Sequence, residues 1–419
     1  MHSGDGPGTG TDDGRLDQHT VRRNNLVRVL EEVRASRARS RSELATRTGL
    51  SKATVSGLVT ELIERRLLRE SGRHHAGGVG RPGRLLELDG STVAALGVEV
   101  NAHCLAVRGV DLAGRVLSER RMGCDTPRAG AEQAVGELAR LAGKVLGEVE
   151  RSGARLAGIG VAVPGIVDVP NGIVRHAPNL LWRDVPIASW LRRWLALDER
   201  HTVVVDNEAN LAALAEFNQP DNTADDLVSL TGEVGVGAGV VTGRRLLRGS
   251  AGSTGEIGHV PVVADGRACG CGQHGCLETR IGLEAAVRAA APDLIGTARD
   301  PARQARILLR RAEEGDPRAL SGLDEVGHWL GVGISIVVNL FNPSLVVLGG
   351  YFAAVAAHVL PRATRELRAR VVAGQAAACP VTASAFGFTA AVRGGANIIV
   401  EEVLDDPCRC PPTGPRGKG

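Results

Sequence analysis

Near the amino terminus, apolar side chains recur at the spacing of an amphipathic helix in three consecutive segments. These segments cover residues 21–36, 41–48 and 52–66, and a turn at residues 49–51 separates the second from the third. The periodicity predicts three helices, because residues three and four apart share one helix face. Two short helices joined by such a turn are typical of the helix-turn-helix, whose second helix can enter the major groove of DNA.

The segment after the third helix has the pattern of a wing. Residues 72–83 are rich in Gly, Arg and His, and residues 84–88 alternate like a strand. We therefore predict a winged helix-turn-helix over residues 20–90. A helical dimerisation or protein-binding module would have a similar periodicity and is the alternative.

The outward face of the third helix is the predicted DNA-reading surface. When its apolar stripe is buried, small and polar side chains remain exposed, and these let a helix approach base edges and phosphates. Lys52, Arg65 and Arg66 are expected to attract phosphate. The predicted DNA-binding residues, one of them at the wing tip, are Ser51, Lys52, Ala53, Thr54, Ser56, Thr60 and Arg81.

After residue 90 the pattern changes to β-rich runs that alternate with helical segments. Two such series, at about residues 91–205 and 206–404, predict an α/β domain of two related lobes with a cleft between them. Residues 1–19 and 405–419 are Gly- or Pro-rich with little apolar content, so we predict a disordered tail at each end.

Composition narrows the class of protein. At 419 residues the chain exceeds the size that one hydrophobic core usually serves, and 43% hydrophobic with 23% charged residues is typical of a soluble globular protein. The chain has neither an apolar run long enough for a membrane span nor a signal-peptide pattern, so we expect a cytoplasmic protein with no membrane partner. The net charge is only +3, but residues 20–85 hold 15 basic against 6 acidic residues, which is typical of a nucleic-acid-binding module.

The most specific chemical signal is a cluster of one histidine and three cysteines. Cys269, Cys271 and Cys276 lie within eight residues, and His259 precedes them in a Gly-rich segment. One imidazole and three thiolates are the four ligands of a closed tetrahedral zinc site, which predicts a structural Zn²⁺. A reactive-thiol site is the alternative, but three crowded thiols would compete to oxidise.

Several motifs of the second domain occur in an order that resembles the ROK family of repressors, open reading frames and sugar kinases. Besides the histidine and cysteine motif, the similar segments are residues 160–168, 177–182, 206–210 and 342–350. Together with the winged helix, the resemblance covers about residues 20–400. It implies a two-lobed sugar-kinase and actin-like ATPase fold, which is ribonuclease H-like, for residues 91–404.

The same resemblance implies a sugar site in the cleft. Carboxylates and amides that converge on a cleft can exchange hydrogen bonds with vicinal hydroxyls, although each alone would be an ordinary surface residue. Carried over motif by motif, the implied sugar-binding residues are Gly165, Asn179, Asn207, Glu208, Glu256, His259 and Glu278.

Two features that the family's kinases need are altered in this chain. Residues 98–103 stand where the kinases have a Gly-rich phosphate loop, and Glu233 stands within the second phosphate loop. Glu208 replaces the aspartate that is the kinases' catalytic base, and its extra methylene displaces the carboxylate by over ~1 Å. The sequence therefore predicts a protein that binds a sugar and does not phosphorylate it.

Together these observations predict a sugar-responsive transcriptional regulator that represses genes for carbohydrate uptake or catabolism. Its partners would be a double-stranded DNA operator, a small sugar or sugar-phosphate effector, and further copies of the chain in a homodimer or homotetramer. Two alternatives stay open, a sugar kinase fused to a DNA-binding module and a ligand-independent dimerisation scaffold.

Overall fold

The computed structural model divides into two compact units. One unit combines Met1–Asp89 with Val403–Gly419, and the other is Gly90–Glu402. Arg81 at the predicted wing tip and residues 1–17 of the predicted tail lie outside the described residues. The described residues are 18–36, 39–74, 83–219, 221–250, 252–295, 300–372 and 379–410.

The first unit contains the three helices and the hairpin strands expected from the sequence. Its elements are α1 (Gln18–Ser36), β1 (Arg39–Ser40), α2 (Arg41–Thr48), α3 (Lys52–Glu64), β2 (Leu68–His74) and β3 (Gly83–Leu88). The strands pair antiparallel in the order β1-β3-β2, so β2 and β3 are the two strands of the wing. Leu26, Leu44 and Leu62, one from each helix, are fully buried. The winged helix-turn-helix prediction is therefore confirmed.

Local capping fixes the helix-turn-helix. Ser40 Oγ accepts a hydrogen bond from the Glu43 amide at 3.3 Å, and the Ser40 amide donates to Glu43 Oε2 at 2.8 Å, which makes a capping box at the start of α2. Gly49 ends α2 in the left-handed region at φ 68°, which glycine adopts without steric cost. Ser51 Oγ then accepts from the Thr54 amide at 3.1 Å and caps α3.

The carboxyl-terminal segment belongs to the first unit, so the prediction of a disordered tail from residue 405 is wrong for residues 405–410. Pro407–Arg409 forms a short 3-10 helix, and Cys410 is only 2% exposed. Arg65 donates from Nη1 to the carbonyl oxygen of Cys410 at 2.8 Å. The sequence conceals this order because the segment is held by a partner 345 residues away along the chain.

The first lobe of the second unit is built on a five-stranded sheet. Its strands are β4 (Val93–Val100), β5 (Cys104–Asp111), β6 (Val116–Gly123), β7 (Arg155–Val163), β8 (Ile166–Asp168), β9 (Ile173–Ala177), β10 (Trp182–Val185) and β11 (Thr202–Asn207). Its helices are α4 (Thr126–Ala129), α5 (Ala131–Arg151) and α6 (Ile187–Trp194). The main sheet has the order β11-β7-β4-β5-β6, and β8, β9 and β10 form a small antiparallel sheet.

The second lobe has a similar plan. Its helices are α7 (Glu208–Phe217), α8 (Glu278–Ile281), α9 (Leu283–Ala290), α10 (Pro301–Glu313), α11 (Pro317–Phe341), α12 (Tyr351–Ala354), α13 (Ala356–Arg370) and α14 (Ala390–Asp405). Its strands are β12 (Leu227–Gly232), β13 (Val236–Thr242), β14 (Arg245–Leu246), β15 (Leu345–Gly350) and β16 (Val381–Ala383), in the order β14-β13-β12-β15-β16. None of the described helices has the length and hydropathy that crossing a bilayer requires.

Helix α14 packs on the sheet of the first lobe, although the sequence pattern predicts residues 206–404 as the second lobe. The approach is backbone to backbone, because a Cβ at Gly160 of β7 would lie 1.9 Å from the carbonyl oxygen of Gly395. Helix α7 is approached in the same way, since a Cβ at Gly394 would lie 1.7 Å from the carbonyl oxygen of Leu211. Helix α14 thereby fixes α7, whose first turn lies in the candidate site.

Candidate functional site

Asn207 connects the loop at Gly165 to the first turn of α7. Its Oδ1 accepts a hydrogen bond from the Ala209 amide at 2.8 Å and caps the helix, while its Nδ2 donates to the carbonyl oxygen of Gly165 at 3.0 Å. Gly165 has a φ of 101°, and a Cβ there would lie 2.2 Å from the carbonyl oxygen of His176. The loop therefore requires glycine at this position.

Asn179 of the first lobe and Glu278 of the second lobe meet at the turn between β12 and β13. Glu278 Oε2 accepts a hydrogen bond from the Val236 amide at 2.9 Å. A Cβ at Gly235 would lie 2.7 Å from Glu278 Oε2 and 3.2 Å from Asn179 Nδ2. Both polar side chains therefore approach the backbone of the same turn from opposite lobes.

Glu208 and Glu256 add two carboxyl groups to this cleft. Burial raises the pKa of Glu208 well above its ordinary value, and the charges of Glu233 and Glu256 raise it further. Glu208 Oε2 is buried without a hydrogen-bond partner in the described part of the chain. Burial also raises the pKa of Glu256, whose Oε2 lies 3.7 Å from His259 Nε2. Pairwise contacts and charge effects thus connect the seven residues of the implied sugar site, and their binding of a sugar stays a prediction.

His259, Cys269, Cys271 and Cys276 form a compact group next to this cleft. One ligand atom from each residue lies within 4.8 Å of the others. His259 Nδ1 is 3.6 Å from Cys269 Sγ, and Cys271 Sγ is 3.7 Å from Cys276 Sγ. Gly275, with φ 72°, lets the loop turn back, because a Cβ there would lie 1.8 Å from the backbone oxygen of residue 263. The arrangement suits a tetrahedral cation with nitrogen and sulfur ligands.

His259 presents its two ring nitrogens to different partners. Nδ1 is directed to Cys269, whereas Nε2 is on the side of Glu256. Burial raises the pKa of the Cys269 thiol to about 12, so a thiolate at this position needs the positive charge of a bound cation. A cation on Nδ1 would leave Nε2 as a hydrogen-bond donor toward the cleft.

Asn101 and Glu233 form a hydrogen bond between the two lobes. Asn101 follows β4, Glu233 follows β12, and Asn101 Nδ2 donates a hydrogen bond to Glu233 Oε2. Burial raises the pKa of Glu233 to about 8 and that of nearby Glu99 to about 7, and Arg121 lowers the pKa of both. The sequence marks Asn101 and Glu233 only as replacements in the phosphate loops. It gives no signal for Arg121, because the charge of Arg121 acts on Glu99 and Glu233 from a separate strand.

Asp206 is a further residue that the sequence did not single out. Its Oδ1 accepts from the Asn207 amide at 2.8 Å and from Asn210 Nδ2 at 2.9 Å. Its Oδ2 accepts from Arg248 Nη2 at 2.8 Å, and the Asp206 side chain is only 2% exposed. Asp206 therefore orients the first turn of α7 and with it Asn207. Its position just before Asn207 at the end of a strand is the only local sign of this role.

In the first unit, the predicted DNA-reading residues of α3 and its cap share one exposed face. Exposed residues on this face are Ser51, Lys52, Ala53, Thr54, Ser56 and Thr60. Val55, Leu58, Val59 and Leu62 of the same helix are buried, as its apolar stripe predicts. Some of the polar side chains bond locally: Thr60 Oγ1 donates to the carbonyl oxygen of Ser56 at 2.9 Å, and the hydroxyls of Ser51 and Thr54 are 2.9 Å apart. This face is consequently exposed and carries small polar side chains, as the prediction of a DNA-reading surface requires.

An ion-pair network borders this face and corrects one expectation. Glu61 pairs with Arg22 at 2.5 Å and with Arg65 at 2.7 Å, and the Arg65 side chain is only 13% exposed. Because Arg65 also donates to the carbonyl oxygen of Cys410, its guanidinium is committed within the unit, and the expectation that it attracts phosphate is wrong. Arg22 and Glu61 line a surface depression of ≈ 660 Å³ together with Ala53, Ser56, Gly57, Thr60 and Glu64.

Two family models match the chain in the same order as the two units. The model described as "ROK family" matches residues 95–402, which is well over half of the chain. The chain belongs to the ROK family. A model described as "MarR family" matches residues 27–76 of this ROK protein, within the winged helix.

Curated relatives of this ROK protein include several repressors. A putative xylose repressor of Caldicellulosiruptor sp. (strain Rt8B.4) is 30% identical over 340 residues, which are 78% of this chain and 83% of the relative. The xylose repressor of Bacillus subtilis (strain 168) is 28% identical over 395 residues, 93% of this chain and 98% of the relative. The DNA-binding transcriptional dual regulator NagC of Escherichia coli (strain K12) is 29% identical over 319 residues, 74% and 76% of the two chains.

Solved structures of the family show the same fold. A ROK family transcriptional regulator, a homologue of the E. coli MLC protein, has a TM-score of 0.74 at 24% identity, and the match covers 92% of this chain and 97% of the other. A ROK family glucokinase from Streptomyces griseus, in complex with glucose and AMPPNP, has a TM-score of 0.62 at 30% identity, with 73% of this chain and 98% of the kinase covered. The match to the regulator therefore extends over a larger share of this chain than the match to the kinase.

Proposed function

We propose that this ROK protein is a sugar-responsive transcriptional repressor of genes for carbohydrate uptake or catabolism. Its winged helix binds a double-stranded DNA operator, and its two-lobed domain binds a small sugar without phosphorylating it. A homodimer or homotetramer in the cytoplasm would place two winged helices on two operator half-sites. The observation that carries the proposal is the exposed face of α3, which occurs in one chain with a set of neighbouring amides and carboxyls suited to a polyol.

The cleft has the chemistry that a sugar requires. Asn179 and Asn207 offer amide groups, and Glu208, Glu256 and Glu278 offer carboxyl groups, so donors and acceptors both converge. Each sugar hydroxyl can donate and accept one hydrogen bond or more, and it would satisfy the buried Oε2 of Glu208. A site built from such groups rejects ligands that leave them unpaired.

A structural zinc ion would stabilise one wall of this cleft. His259 Nδ1 and the thiolates of Cys269, Cys271 and Cys276 would hold the ion, because they form a closed set of four ligands with no open position. The ion supplies structure to the loop and no chemistry to a substrate. Its effect on the site would be to fix His259 Nε2 and, through the adjoining segment, the Glu278 carboxylate.

The phosphate path of the kinases is closed in this protein. Asn101 donates to Glu233 across the lobes where the kinases have glycines that approach phosphate, and two acids with raised pKa values lie there. Glu208 stands at the position of the catalytic base with a longer side chain, and positioned reactions tolerate such displacement poorly. We therefore infer that phosphoryl transfer has been lost.

A sugar kinase fused to a DNA-binding module is the second candidate, favoured by the similarity to the Streptomyces griseus glucokinase. We expect no sugar phosphate when the purified protein is incubated with ATP, magnesium and a panel of hexoses and pentoses. Mass spectrometry of the sugars measures this. Phosphorylation that Glu208→Ala abolishes and Glu216→Ala retains would establish the kinase instead.

Replacing Lys52 should test the proposed DNA-reading face. Lys52 is exposed at the start of α3, so Lys52→Ala should weaken operator binding and lower the salt dependence of log K by about 1. Fluorescence anisotropy of a labelled operator at several salt concentrations measures both values. Lys144→Ala, which removes the same charge from α5 of the second unit, is the matched control. An unchanged slope in Lys52→Ala would contradict the assigned face.

The repressor proposal itself is tested by coupling between the two units. DNA from beside the protein's own gene should bind the purified protein, and one sugar of the panel should change that affinity by about 5-fold or more. A ligand shifts DNA affinity only through its differential affinity for two states of the protein. If sugars bind and none of them alters operator affinity, the switching part of the proposal fails.

A further inference from the structure

One carboxylate of α3 is shared by two arginines of the first unit. Glu61 Oε1 accepts hydrogen bonds from Arg65 Nε at 2.9 Å and from Arg65 Nη2 at 2.7 Å, and Glu61 Oε2 accepts from Arg22 Nε at 2.8 Å. Burial opposes ionisation of Glu61, but hydrogen bonds from both guanidiniums hold its pKa below its ordinary value. Glu61 is therefore ionised at neutral pH, and one negative charge faces two positive charges.

The surplus positive charge of this group is exposed at Arg22. The Arg65 side chain is only 13% exposed, whereas the Arg22 side chain is 57% exposed. Among the described residues, the partner of Arg22 is Glu61, which Arg22 contacts through Nε and Nη2, so the donors of Nη1 remain for a ligand. The other charged residues of α3, Lys52 and Glu64, carry opposite charges and leave the surplus uncancelled.

Arg22 lies beside the exposed face of α3. It lines the surface depression together with Ala53, Ser56 and Thr60, which are three of the predicted DNA-reading residues. A helix with its side chains is about 10–12 Å wide and the major groove is about 12 Å wide, so a helix in the groove brings its flanks close to backbone phosphates. Glu61 follows Thr60 and is turned about 100° from it around α3, so it holds Arg22 at such a flank.

We propose that Arg22 binds a phosphate of the DNA backbone and that Glu61 is the positioning residue that holds the Arg22 guanidinium for this contact. The proposal rests on the proposed function and adds to it a DNA contact on α1, outside the helix-turn-helix itself. Guanidinium and phosphate form strong charge-assisted hydrogen bonds, and Nη1 can make them while Nε and Nη2 stay on Glu61. Arg22 thereby makes the contact that the charge of Arg65 suggests and its burial prevents.

Glu61 acts on this contact in two ways that have opposite signs. An arginine side chain loses rotamer freedom when it binds, and Glu61 reduces that loss because it fixes Arg22 before the DNA arrives. Glu61 can do so because Arg65 fixes it in turn. The Glu61 carboxylate also repels phosphate. If charge alone mattered, removal of this carboxylate would strengthen the bond between Arg22 and phosphate, whereas a positioning role requires that the bond weakens.

The experiment measures DNA binding by the full-length protein with two labelled duplexes of equal length. One duplex is DNA from beside the protein's own gene, and the other has a scrambled sequence. Fluorescence anisotropy at several salt concentrations should show that Arg22→Gln binds both duplexes about 10-fold more weakly and lowers the salt dependence of log K by about 1, because a phosphate contact is independent of base sequence. Arg140→Gln is the matched control, since Arg140 is an exposed arginine that pairs with Glu137 on α5 of the second unit.

A second measurement locates the phosphate that Arg22 contacts. In a duplex that covers the protected site, single phosphates are replaced one at a time by neutral methylphosphonates. At one position of each half-site, the replacement should weaken binding of the unsubstituted protein about 10-fold and binding of Arg22→Gln about 2-fold or less. Glu61→Gln should reduce the effect of the same replacement to about 3-fold or less, although it removes a negative charge. Circular dichroism would show that each variant is folded.

Three results would count against the proposal or its basis. An unchanged affinity and salt slope in Arg22→Gln would overturn the phosphate contact, and so would a duplex in which no phosphate replacement affects the unsubstituted protein more than Arg22→Gln. Tighter binding by Glu61→Gln with an undiminished effect of the methylphosphonate would overturn the positioning role of Glu61. If the unsubstituted protein binds neither duplex, the proposed DNA-binding function fails instead.

Discussion

Cys276→Ser should reduce bound zinc from one ion per chain to nearly none and lower the melting temperature of the second unit by on the order of 10 °C. Cys276 is fully buried, and its Sγ is 3.7 Å from Cys271 Sγ, so a hydroxyl in its place removes one of four ligands. Structural zinc sites couple ion binding to folding of their loop. Sugar affinity should fall as well, because His259 and the neighbouring Glu278 lose their support.

Zinc content by plasma mass spectrometry and thermal unfolding with and without a chelator would measure these effects. Cys379→Ser is the matched control, since Cys379 lies outside the cluster and should change neither value. A chelator added to the unsubstituted protein should lower its zinc content and melting temperature as Cys276→Ser does. Full zinc stoichiometry in the variant would show that the four residues are not the ligands.

Gly394→Ala should destabilise the second unit by about 2 kcal/mol or more, whereas Gly136→Ala should stabilise it by about 0.5–1 kcal/mol. Both residues lie in helices, α14 and α5, so each substitution brings the same gain in helix propensity. The difference is the space around them. A Cβ at Gly394 would lie 1.7 Å from the carbonyl oxygen of Leu211, but one at Gly136 meets nothing within 4 Å.

Chemical denaturation monitored by circular dichroism would give the two free energies of unfolding. Leu211 lies one turn after Glu208 on α7, so displacement of this turn should also weaken sugar binding in Gly394→Ala. Equal effects of both substitutions would show that the close contact between α14 and α7 does not exist in solution.

Local signals account for the parts of the structure that the sequence predicted well. The helical stripe of Val55, Leu58 and Leu62 and the capping box of Ser40 and Glu43 each depend on neighbours within about two turns. The grouping of His259 with the three cysteines was also predictable, because their close spacing in the sequence is typical of a set of metal ligands.

Long-range contacts account for the rest. Arg65 looks like a phosphate ligand from its charge, but Glu61 and the carbonyl oxygen of Cys410 engage it in the fold. The bond between Asn101 and Glu233 joins residues on two lobes, and neither position has a periodic pattern that anticipates it. The sequence did not indicate that helix α14 packs on the sheet of the first lobe as well as on α7, because its glycine contacts depend on which elements it reaches.

The contact between Arg65 and Cys410 can form only late in synthesis, because Cys410 is made long after Arg65. The helices of the winged helix are synthesised first, but the segment that accepts from Arg65 is synthesised 345 residues later. Closing so long a loop depends on the intervening domain having become compact. A polypeptide without residues 407–410 lacks this contact, so we expect Arg65 to keep only its ion pair with Glu61 in such a molecule.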